Sequence, residues 1–284
     1  MRLVDSHCHI QADRFARDAD LALGAARLAG VERILVPGWD VASSEGALEM
    51  VDRFPWLDAA VGIHPHEAGA VEAASWARIG ELATDARVVA IGETGLDYDR
   101  MFSPVEAQLA NLRRHLDLAL ATGKPAILHC RSAAGRRDAQ DALVAALHAI
   151  GFGEAGAVAA FGGRPPAVVH SFSGPPDYAV EMLTLGCAVS FSGLVFRSGE
   201  ESSAEVVGLV PPERLLVETD SPFLTPPGVP SPSVGSRRRN EPQNVAVTAA
   251  WVAERRGVAA GALGPFGDDL VAAYDAAFQR VAAR

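Results

Sequence analysis

The chain has 284 residues, a formal net charge of −10 and a hydrophobic fraction of 49%, which is enough for a large core. The negative charge argues against nonspecific nucleic-acid binding through a broad basic surface. No apolar run approaches the ~18 residues that span a bilayer, and the N-terminus lacks a basic region followed by a purely apolar one. We therefore expect a cytoplasmic protein that contacts no membrane, and no sequence feature points to a stable protein partner.

Short apolar runs alternate with helical stretches along the chain. Eight runs are rich in Val, Ile and Leu, as is typical of strands buried on both faces, and they cover residues 3–9, 33–37, 59–64, 88–93, 126–130, 167–170, 188–191 and 215–218. Eight such strand–helix repeats predict a closed (β/α)8 barrel. An open doubly wound sheet is the alternative, but no GxGxxG loop follows the first run. No internal repeat or linker is present, so residues 1–284 are predicted to form a single domain.

The helical stretch 104–121 carries clear signals at both ends. Its apolar residues recur at helical spacing. Ser103 and Glu106 are spaced as a capping box, and Pro104 takes the first helical position. Gly123 follows the end, where a left-handed residue commonly stops a helix.

Two segments stand apart from the regular alternation. Residues 151–166 are rich in Gly, Ala and Pro, and we expect them to form a surface insertion, a loop before the sixth strand. Residues 221–239 are rich in proline and follow the eighth strand. They are predicted to lie on the carboxyl-terminal face of the barrel, where loops build active sites.

The three cysteines Cys8, Cys130 and Cys187 give no sign of redox chemistry. They form no CxxC pair, and an odd number makes a poor disulfide framework. All three lie in apolar, strand-like segments, which predicts small buried hydrophobic residues in a reducing compartment.

His7 and His9 flank Cys8 in the first predicted strand. Residues i and i+2 of a strand point to the same side, so the two imidazoles face one way and the thiol faces the other. Burying a polar group without a partner costs roughly 2–7 kcal/mol, so two inward imidazoles require partners. A single HxH pattern is weak evidence by itself.

The other titratable residues strengthen that evidence by their positions. Glu93 ends the fourth run and Asp220 follows the eighth, while His115 and His148 fall on predicted helices and are expected to be ordinary surface or hydrogen-bonded residues. Side chains at the ends of different strands converge at one face of a barrel, and such a set of imidazoles and carboxylates suits Zn, Mn or, with more water ligands, Mg. The histidines at or just after strand ends are His7, His9, His64, His66, His129 and His170.

Each residue also has a plainer explanation. A single strand-end histidine is commonly a hydrogen-bonded core residue, and Glu93 and Asp220 are possible loop caps. The repeated coincidence of position favours a shared site. A nucleophilic cysteine is disfavoured, because Cys130 points away from the side of the strand that His129 occupies.

Seven motifs occur in order between residues 4 and 242, namely VDSHCH, GIHPHEA, IGETGLDYDR, GKPAILHCR, VVHSFSG, LLVETDSPFLTP and RRRNEP. Together they resemble the TatD-type metal-dependent deoxyribonucleases, a branch of the amidohydrolase superfamily with a (β/α)8 fold. ETDSPFLTP and RNEP separate this branch from phosphotriesterase-like and dihydroorotase-like relatives. Relatives that bridge two metals with a carbamylated lysine need that lysine at a strand end. Here the only lysine, Lys124, precedes its strand, and Glu93 is placed to bridge instead.

The resemblance implies a site for two divalent ions, with Mg, Mn or Zn as the candidates. One ion would be held by His7, His9, Glu93 and Asp220, and the second by Glu93, His129 and His170. The resemblance further implies that His64 lies close to the substrate phosphate and that Arg239 and Asn240 line the substrate side. The residues assigned to catalysis are Asp220 as general base, Glu93 and His64. HSFSG replaces the commoner HCFSG, and the 151–166 segment lengthens the interval between His129 and His170.

The implied activity is two-metal hydrolysis of DNA, from the 3′ end of single-stranded or damaged strands. Arg239 offers a fork that suits phosphate, although residues 237–239 also fit a solvated loop. One alternative keeps the site but hydrolyses an ester or amide, such as D-aminoacyl-tRNA. Another is a non-catalytic metal-binding barrel, against which the complete ligand set argues.

Overall fold

The computed structural model describes residues 1–229 and 239–279. Eight parallel strands are hydrogen-bonded in chain order from β1 to β8. The strands are β1 (Leu3–Asp5), β2 (Val31–Pro37), β3 (Leu57–Val61), β4 (Val88–Asp97), β5 (Ala126–Arg131), β6 (Ala167–Val169), β7 (Ala188–Phe191) and β8 (Leu215–Val217). The circle closes where the Ser6 amide donates to the Val217 carbonyl at 3.0 Å and Cys8 bridges to Ser221. The predicted (β/α)8 barrel is confirmed.

Helices connect the strands and cover the outside of the barrel. They are α1 (Ala19–Leu28), α2 (Val41–Arg53), α3 (Ala73–Ala83), α4 (Val105–Thr122), α5 (Asp138–Ala149), α6 (Ala155–Ala160), α7 (Pro176–Thr184), α8 (Ser203–Leu209), α9 (Val245–Arg255) and α10 (Leu263–Phe278). None of the helices within 1–229 and 239–279 combines the length and apolarity that a bilayer crossing requires. A single domain over residues 1–284 stays a prediction.

Only β7 has the predicted bounds at both ends, and the largest shifts of a single boundary from the predicted ranges are in β1 and β4. β1 stops at Asp5, so His7 and His9 lie just beyond it. β4 continues past Glu93 to Asp97, because Gly95 lets β4 approach β5 closely. A Cβ at Gly95 would lie 1.9 Å from the carbonyl oxygen of His129, and its φ of +140° is unfavourable for other residues.

The ends of α4 are only partly as predicted. Gly123 ends the helix in the left-handed conformation, with φ +63°, which confirms that signal. The predicted capping box is wrong, because Pro104 is the N-cap residue and no side chain caps the helix. The Ser103 hydroxyl instead donates to the carbonyl of His66 at 2.7 Å and accepts from the amide of Gly69.

Residues 151–166 are not the loop that was expected, because they contain α6. Phe152 and Phe161 flank this helix, are fully buried and pack edge to face with ring centroids 5.6 Å apart. These two rings anchor the segment to the core. Whether the segment is an insertion stays a prediction.

The three cysteines are free and buried, as predicted. Burial raises the pKa of Cys130 and of Cys187 to about 12, so neither thiol ionises readily. His115 is a buried, hydrogen-bonded residue, which accepts from the Ile63 amide at 2.9 Å, and His148 is exposed.

An ion pair between a buried carboxylate and a half-buried arginine occupies the amino-terminal end of the barrel. Asp58 of β3 is fully buried, and its Oδ2 accepts from the Nε of Arg33 at 3.1 Å and from the hydroxyl of Tyr274 at 3.0 Å. Nearby in the fold, the Lys124 ammonium before β5 donates to the carbonyls of Ala83 and Asp85 at 2.6 and 2.9 Å.

Candidate metal centre

Imidazole and carboxylate groups converge at the carboxyl-terminal end of the strands, beneath a cleft of about 840 Å³. The structure brings together seven residues that the sequence singled out, namely His7, His9, His64, Glu93, His129, His170 and Asp220. They come from the ends of β1, β3, β4, β5, β6 and β8, as the strand order of a barrel requires.

The two carboxylate oxygens of Glu93 face two different groups. Its Oε2 lies 3.1 Å from Nε2 of His7 and 3.6 Å from Nε2 of His9. Its Oε1 lies 2.8 Å from Nε2 of His170 and 3.2 Å from Nδ1 of His129. Glu93 therefore stands between two sets of donor atoms, in the position of a bridging carboxylate.

Asp220 completes the first set. Its Oδ1 lies 3.8 Å from Nε2 of His7 and 3.6 Å from Nε2 of His9, and the Nε2 atoms of His7 and His9 are 3.1 Å apart. The backbone of Asp220 adopts a left-handed φ of +53°, which is uncommon outside glycine and asparagine. The Asp220 amide donates to the His7 carbonyl at 2.9 Å, which holds the carboxylate over the first group.

These spacings are close to those between ligands of one ion. Two ligand atoms that each lie ~2.1 Å from a cation are roughly 3.0–3.4 Å apart in octahedral or tetrahedral geometry. In the first set, the His7–His9 and His7–Glu93 distances of 3.1 Å lie inside that range, and three other distances are 3.6–3.8 Å. In the second set, Nδ1 of His129 and Nε2 of His170 are 3.3 Å apart, and both lie within 3.2 Å of Glu93 Oε1. Both sets therefore fit a divalent cation with little movement.

Three of the imidazoles are held by an acceptor at their other ring nitrogen. Nδ1 of His9 lies 3.2 Å from the carbonyl of Pro37, and Nδ1 of His170 lies 3.2 Å from Glu218 Oε1. Nε2 of His129 lies 3.3 Å from Asp97 Oδ2. An acceptor at the outer nitrogen keeps the proton there and aims the lone pair of the inner nitrogen at the centre, as in most histidine-bound metals.

His64 has the opposite arrangement. The backbone amide of His66 donates to Nδ1 of His64 at 3.1 Å, so the proton of the neutral ring sits on Nε2. That Nε2 lies 3.3 Å from Glu93 Oε1. Burial lowers the pKa of His64 to about 4, against the opposing effect of Glu93, so the ring is neutral at pH 7. Although its Nε2 is within ligand distance of Glu93 and His129, His64 offers the centre a hydrogen-bond donor instead of a lone pair.

The pKa values in the cluster reflect burial and crowding. Burial lowers the pKa of His9 to about 3, reinforced by His7. Burial works to raise the pKa of Glu93, but His170, His64 and His7 hold it well below its ordinary value. Burial disfavours the cationic form of His170, but Glu93 and Glu218 raise its pKa well above the ordinary value. Without a cation, the positive charge of the cluster is thus favoured on His170, between Glu93 and Glu218. It is disfavoured on His9 and His64. Cation binding would displace the His170 proton.

Two carboxylates that bind the outer nitrogens of two histidines were not predicted from the sequence. Asp97 accepts from His129 and also lies 2.7 Å from Nε2 of His66, and Glu218 is fully buried behind His170. The signal was present as alternation, because Asp97 follows Glu93 by four residues on one strand and Glu218 precedes Asp220 by two. In a regular strand, these spacings would place each carboxylate on the side of a predicted ligand, although Asp220 itself lies beyond the end of β8.

The structure does not bring Arg239 and Asn240 to the cluster, and neither is among the described residues that line the cleft. The Arg239 guanidinium donates to both carboxylate oxygens of Asp18 at 2.8 Å and is 7% exposed. The amide of Asn240 donates to the carbonyl of Thr219 at 2.8 Å. Asn240 thus braces the chain next to Asp220, whereas Arg239 binds the segment that carries Asp18. Their assignment to substrate stays a prediction. Residues 237 and 238 lie outside the described residues.

Comparison with known proteins agrees with this geometry. The family model of TatD related DNase matches residues 4–264. The uncharacterized metal-dependent hydrolase YabD of Bacillus subtilis is 36% identical, with 89% of this chain and 90% of the relative covered. The 3′-5′ ssDNA/RNA exonuclease TatD of Enterobacter lignolyticus is 34% identical, with coverage of 90% and 92%. The crystal structure of YJJV, a TatD homologue from Escherichia coli, superposes with a TM-score of 0.80 at 26% identity, over 98% of both chains.

Proposed function

We propose that this chain, which belongs to the TatD-related DNase family, removes nucleotides from the 3′ end of single-stranded DNA with two divalent cations bound in its cluster. Family membership makes it a metal-dependent enzyme that hydrolyses phosphodiester bonds. The finer proposal rests on the position of Glu93, because its two carboxylate oxygens face two separate sets of donor atoms.

The first cation is assigned to His7, His9, Glu93 and Asp220, and the second to Glu93, His129 and His170. Cations held there supply activation of the attacking water and neutralisation of charge on the phosphodiester oxygens. This set of imidazoles and carboxylates accommodates Mg, Mn or Zn. Asp97, Glu218 and the carbonyl of Pro37 keep the histidine tautomers fixed, so the donor atoms are preorganised.

His64 and Asp220 have complementary roles toward the substrate. His64 is neutral and presents Nε2–H, so it donates a hydrogen bond to a phosphate oxygen above Glu93. Asp220 lines the cleft and is only partly buried, so its carboxylate is within reach of both a ligand position and a water in the cleft. Asp220 is the group that accepts the proton of the attacking water.

The test is a nuclease assay with 5′-labelled single-stranded DNA, duplex DNA and RNA, each with Mg²⁺, Mn²⁺ or Zn²⁺. We expect stepwise shortening of single-stranded DNA from the 3′ end, abolished by EDTA and by His7→Ala. The matched control is His148→Ala, which removes an exposed histidine far from the cluster. Full activity in His7→Ala would contradict the proposal, as would cleavage that begins inside the strand.

The same protein preparation distinguishes the two alternative functions, an ester or amide hydrolase and a non-catalytic metal-binding barrel. A D-aminoacyl-tRNA assay run beside the nuclease assay reveals an esterase that uses this site. A protein that binds cations without hydrolysing any of the substrates would be a non-catalytic barrel. A cytoplasmic location stays a prediction.

A further inference from the structure

Two phenylalanines stand at the rim of the cleft with much of each ring exposed. Phe102 is 69% exposed and Phe223 is 51% exposed, whereas the other nine phenylalanines of the chain are buried or half-buried. Scattered exposed hydrophobic residues need no explanation. Here, however, both exposed phenylalanines found in the described part of the chain line the cleft above the metal centre.

Phe223 lies next to the first set of donor atoms. Its ring centroid is 6.1 Å from that of His9, in an edge-to-face arrangement. A guanidinium is close by, because Arg14 donates to the carbonyl of Pro222 at 3.4 Å and also lines the cleft. This side of the cleft therefore combines an aromatic face with positive charge.

Phe102 lies beside the second set. Its ring centroid is 4.7 Å from that of His66, whose own ring is 4.2 Å from that of His64. Arg100 lines the cleft two residues earlier in the chain. Since His9 and His64 face different oxygens of Glu93, the two phenylalanines stand at different ends of the cluster.

We propose that Phe223 and Phe102 are stacking platforms for the two nucleobases that flank the scissile phosphodiester, an inference that rests on the exonuclease function proposed above. Aromatic platforms serve any sequence because every base has a π face. The nearby arginines supply local positive charge for backbone phosphates in an otherwise acidic protein. Such platforms need unpaired bases, since a duplex presents base faces only at its ends, and they therefore favour single strands.

The test compares two oligonucleotides in the wild-type protein and in Phe223→Ala and Phe102→Ala. One is an ordinary single strand, and the other carries tetrahydrofuran abasic residues at its last two positions. Loss of one stacked base reduces binding roughly fivefold to 150-fold. We expect each variant to lose about tenfold in kcat/KM on the ordinary strand. The wild-type protein should lose about a hundredfold on the abasic strand, because both stacked bases are missing, and the variants and the wild type then converge there.

Matched variants separate stacking from general damage. Phe223→Tyr keeps the aromatic face and should retain activity within about twofold of the wild type. Leu28→Ala shortens a residue that is 93% exposed and outside the cleft, and it should leave both substrates unaffected. Melting temperatures of all variants show whether the fold is preserved.

Three results would overturn the inference. The first is alanine variants that degrade the ordinary strand as fast as the wild type. The second is a loss of the same size on both strands, which would mean that the rings only support His9 and His66. The third is a wild-type protein that degrades neither strand, in which case the exonuclease proposal fails and the stacking platforms fail with it. The first two leave the exonuclease proposal intact.

Discussion

Both ends of the barrel bury charged side chains, but they pair them differently. At the amino-terminal end, the Asp58 carboxylate accepts hydrogen bonds from Arg33 and Tyr274, and the Arg33 charge balances its own. At the carboxyl-terminal end, the donor atoms of His9 and His170 converge with Glu93 on a space that is open to the cleft. A paired charge contributes to the stability of the fold, whereas converging donor atoms form a site for a ligand.

The partners of Asp58 and Glu93 show which buried charge belongs to a functional site. Burial alone does not distinguish the ends, because Asp58 and Glu93 are both almost completely inaccessible. The partners do distinguish them. Asp58 has an oppositely charged partner of its own, while Glu93 is surrounded by imidazoles. Two of these, His129 and His170, already have their outer nitrogens occupied by Asp97 and Glu218. Variants at the two ends should therefore affect different measurements.

The largest effect is expected for Glu93→Gln. Loss of the bridging carboxylate should lower nuclease activity by roughly 10³-fold or more, since the residues of such a centre act as a unit. It should also abolish the increase in melting temperature that Mn²⁺ gives the wild-type protein, because a cation stabilises only a fold that binds it. Activity and thermal shift assays across Mn²⁺ concentrations measure both. Retention of the Mn²⁺ shift would show that Glu93 is not needed for binding.

Asp58→Asn should have the opposite profile. Loss of the Asp58 charge weakens the bonds from Arg33 and Tyr274, but the Arg33 side chain is 32% exposed and can reach water. The cost should therefore be about 1–3 kcal/mol of unfolding free energy, and the melting temperature should fall by a few degrees. The kcat should stay unchanged at temperatures where the variant is folded. Asp268→Asn is the matched control, because Asp268 pairs with Arg2 at an exposed position and should change stability by less than about 1 kcal/mol. A stable but inactive Asp58→Asn variant would contradict the assignment of Asp58 to the stability of the fold.

Glu218→Gln tests the support behind a ligand. Glu218 does not line the cleft. Its Oε1 holds the Nδ1 proton of His170, and its Oε2 accepts from the Ser6 hydroxyl at 3.4 Å. Outer carboxylates of this kind contribute roughly 10–100-fold to metal affinity or activity. We expect weaker Mn²⁺ binding by calorimetry and activity that recovers at high Mn²⁺. A variant that loses activity at every Mn²⁺ concentration would assign Glu218 a different role.

The smallest effect is expected for Lys124→Met at the amino-terminal end. Burial lowers the pKa of Lys124 to about 8, despite the opposing charge of Asp85 and with a smaller contribution from Arg164. The unfolded chain therefore binds more protons than the folded chain between about pH 8 and the ordinary lysine pKa of 10.5. The wild-type free energy of unfolding should rise with pH in that window relative to the variant. Denaturation at several pH values checks it, and parallel pH profiles for the two proteins would contradict it.

Much of the site was accessible from the sequence because its ligands follow strand ends. The spacing of His7 and His9 placed two imidazoles on one side, and the positions of Glu93, His129 and His170 at the ends of their own runs indicated the same face of the barrel. The extent of β1 and β4 was less accessible, because it depends on how closely neighbouring strands approach at Gly95. The use of Ser103 was also hidden, since its hydroxyl binds a distant loop through His66 instead of its own helix.

The spacing of the apolar runs predicted the barrel, and the positions of the histidines and carboxylates, together with the family resemblance, predicted the residues proposed as ligands. Only the tertiary structure decided which nitrogen of each imidazole faces the centre. That choice depends on acceptors far away in the chain, such as Glu218 for His170 and Asp97 for His129. The backbone amide of His66 likewise makes His64 a donor to the centre. The Asp18 carboxylate binds Arg239 and makes it a structural residue. A hydrogen bond is made by atoms that are close in space, and spacing along the chain does not specify its partner.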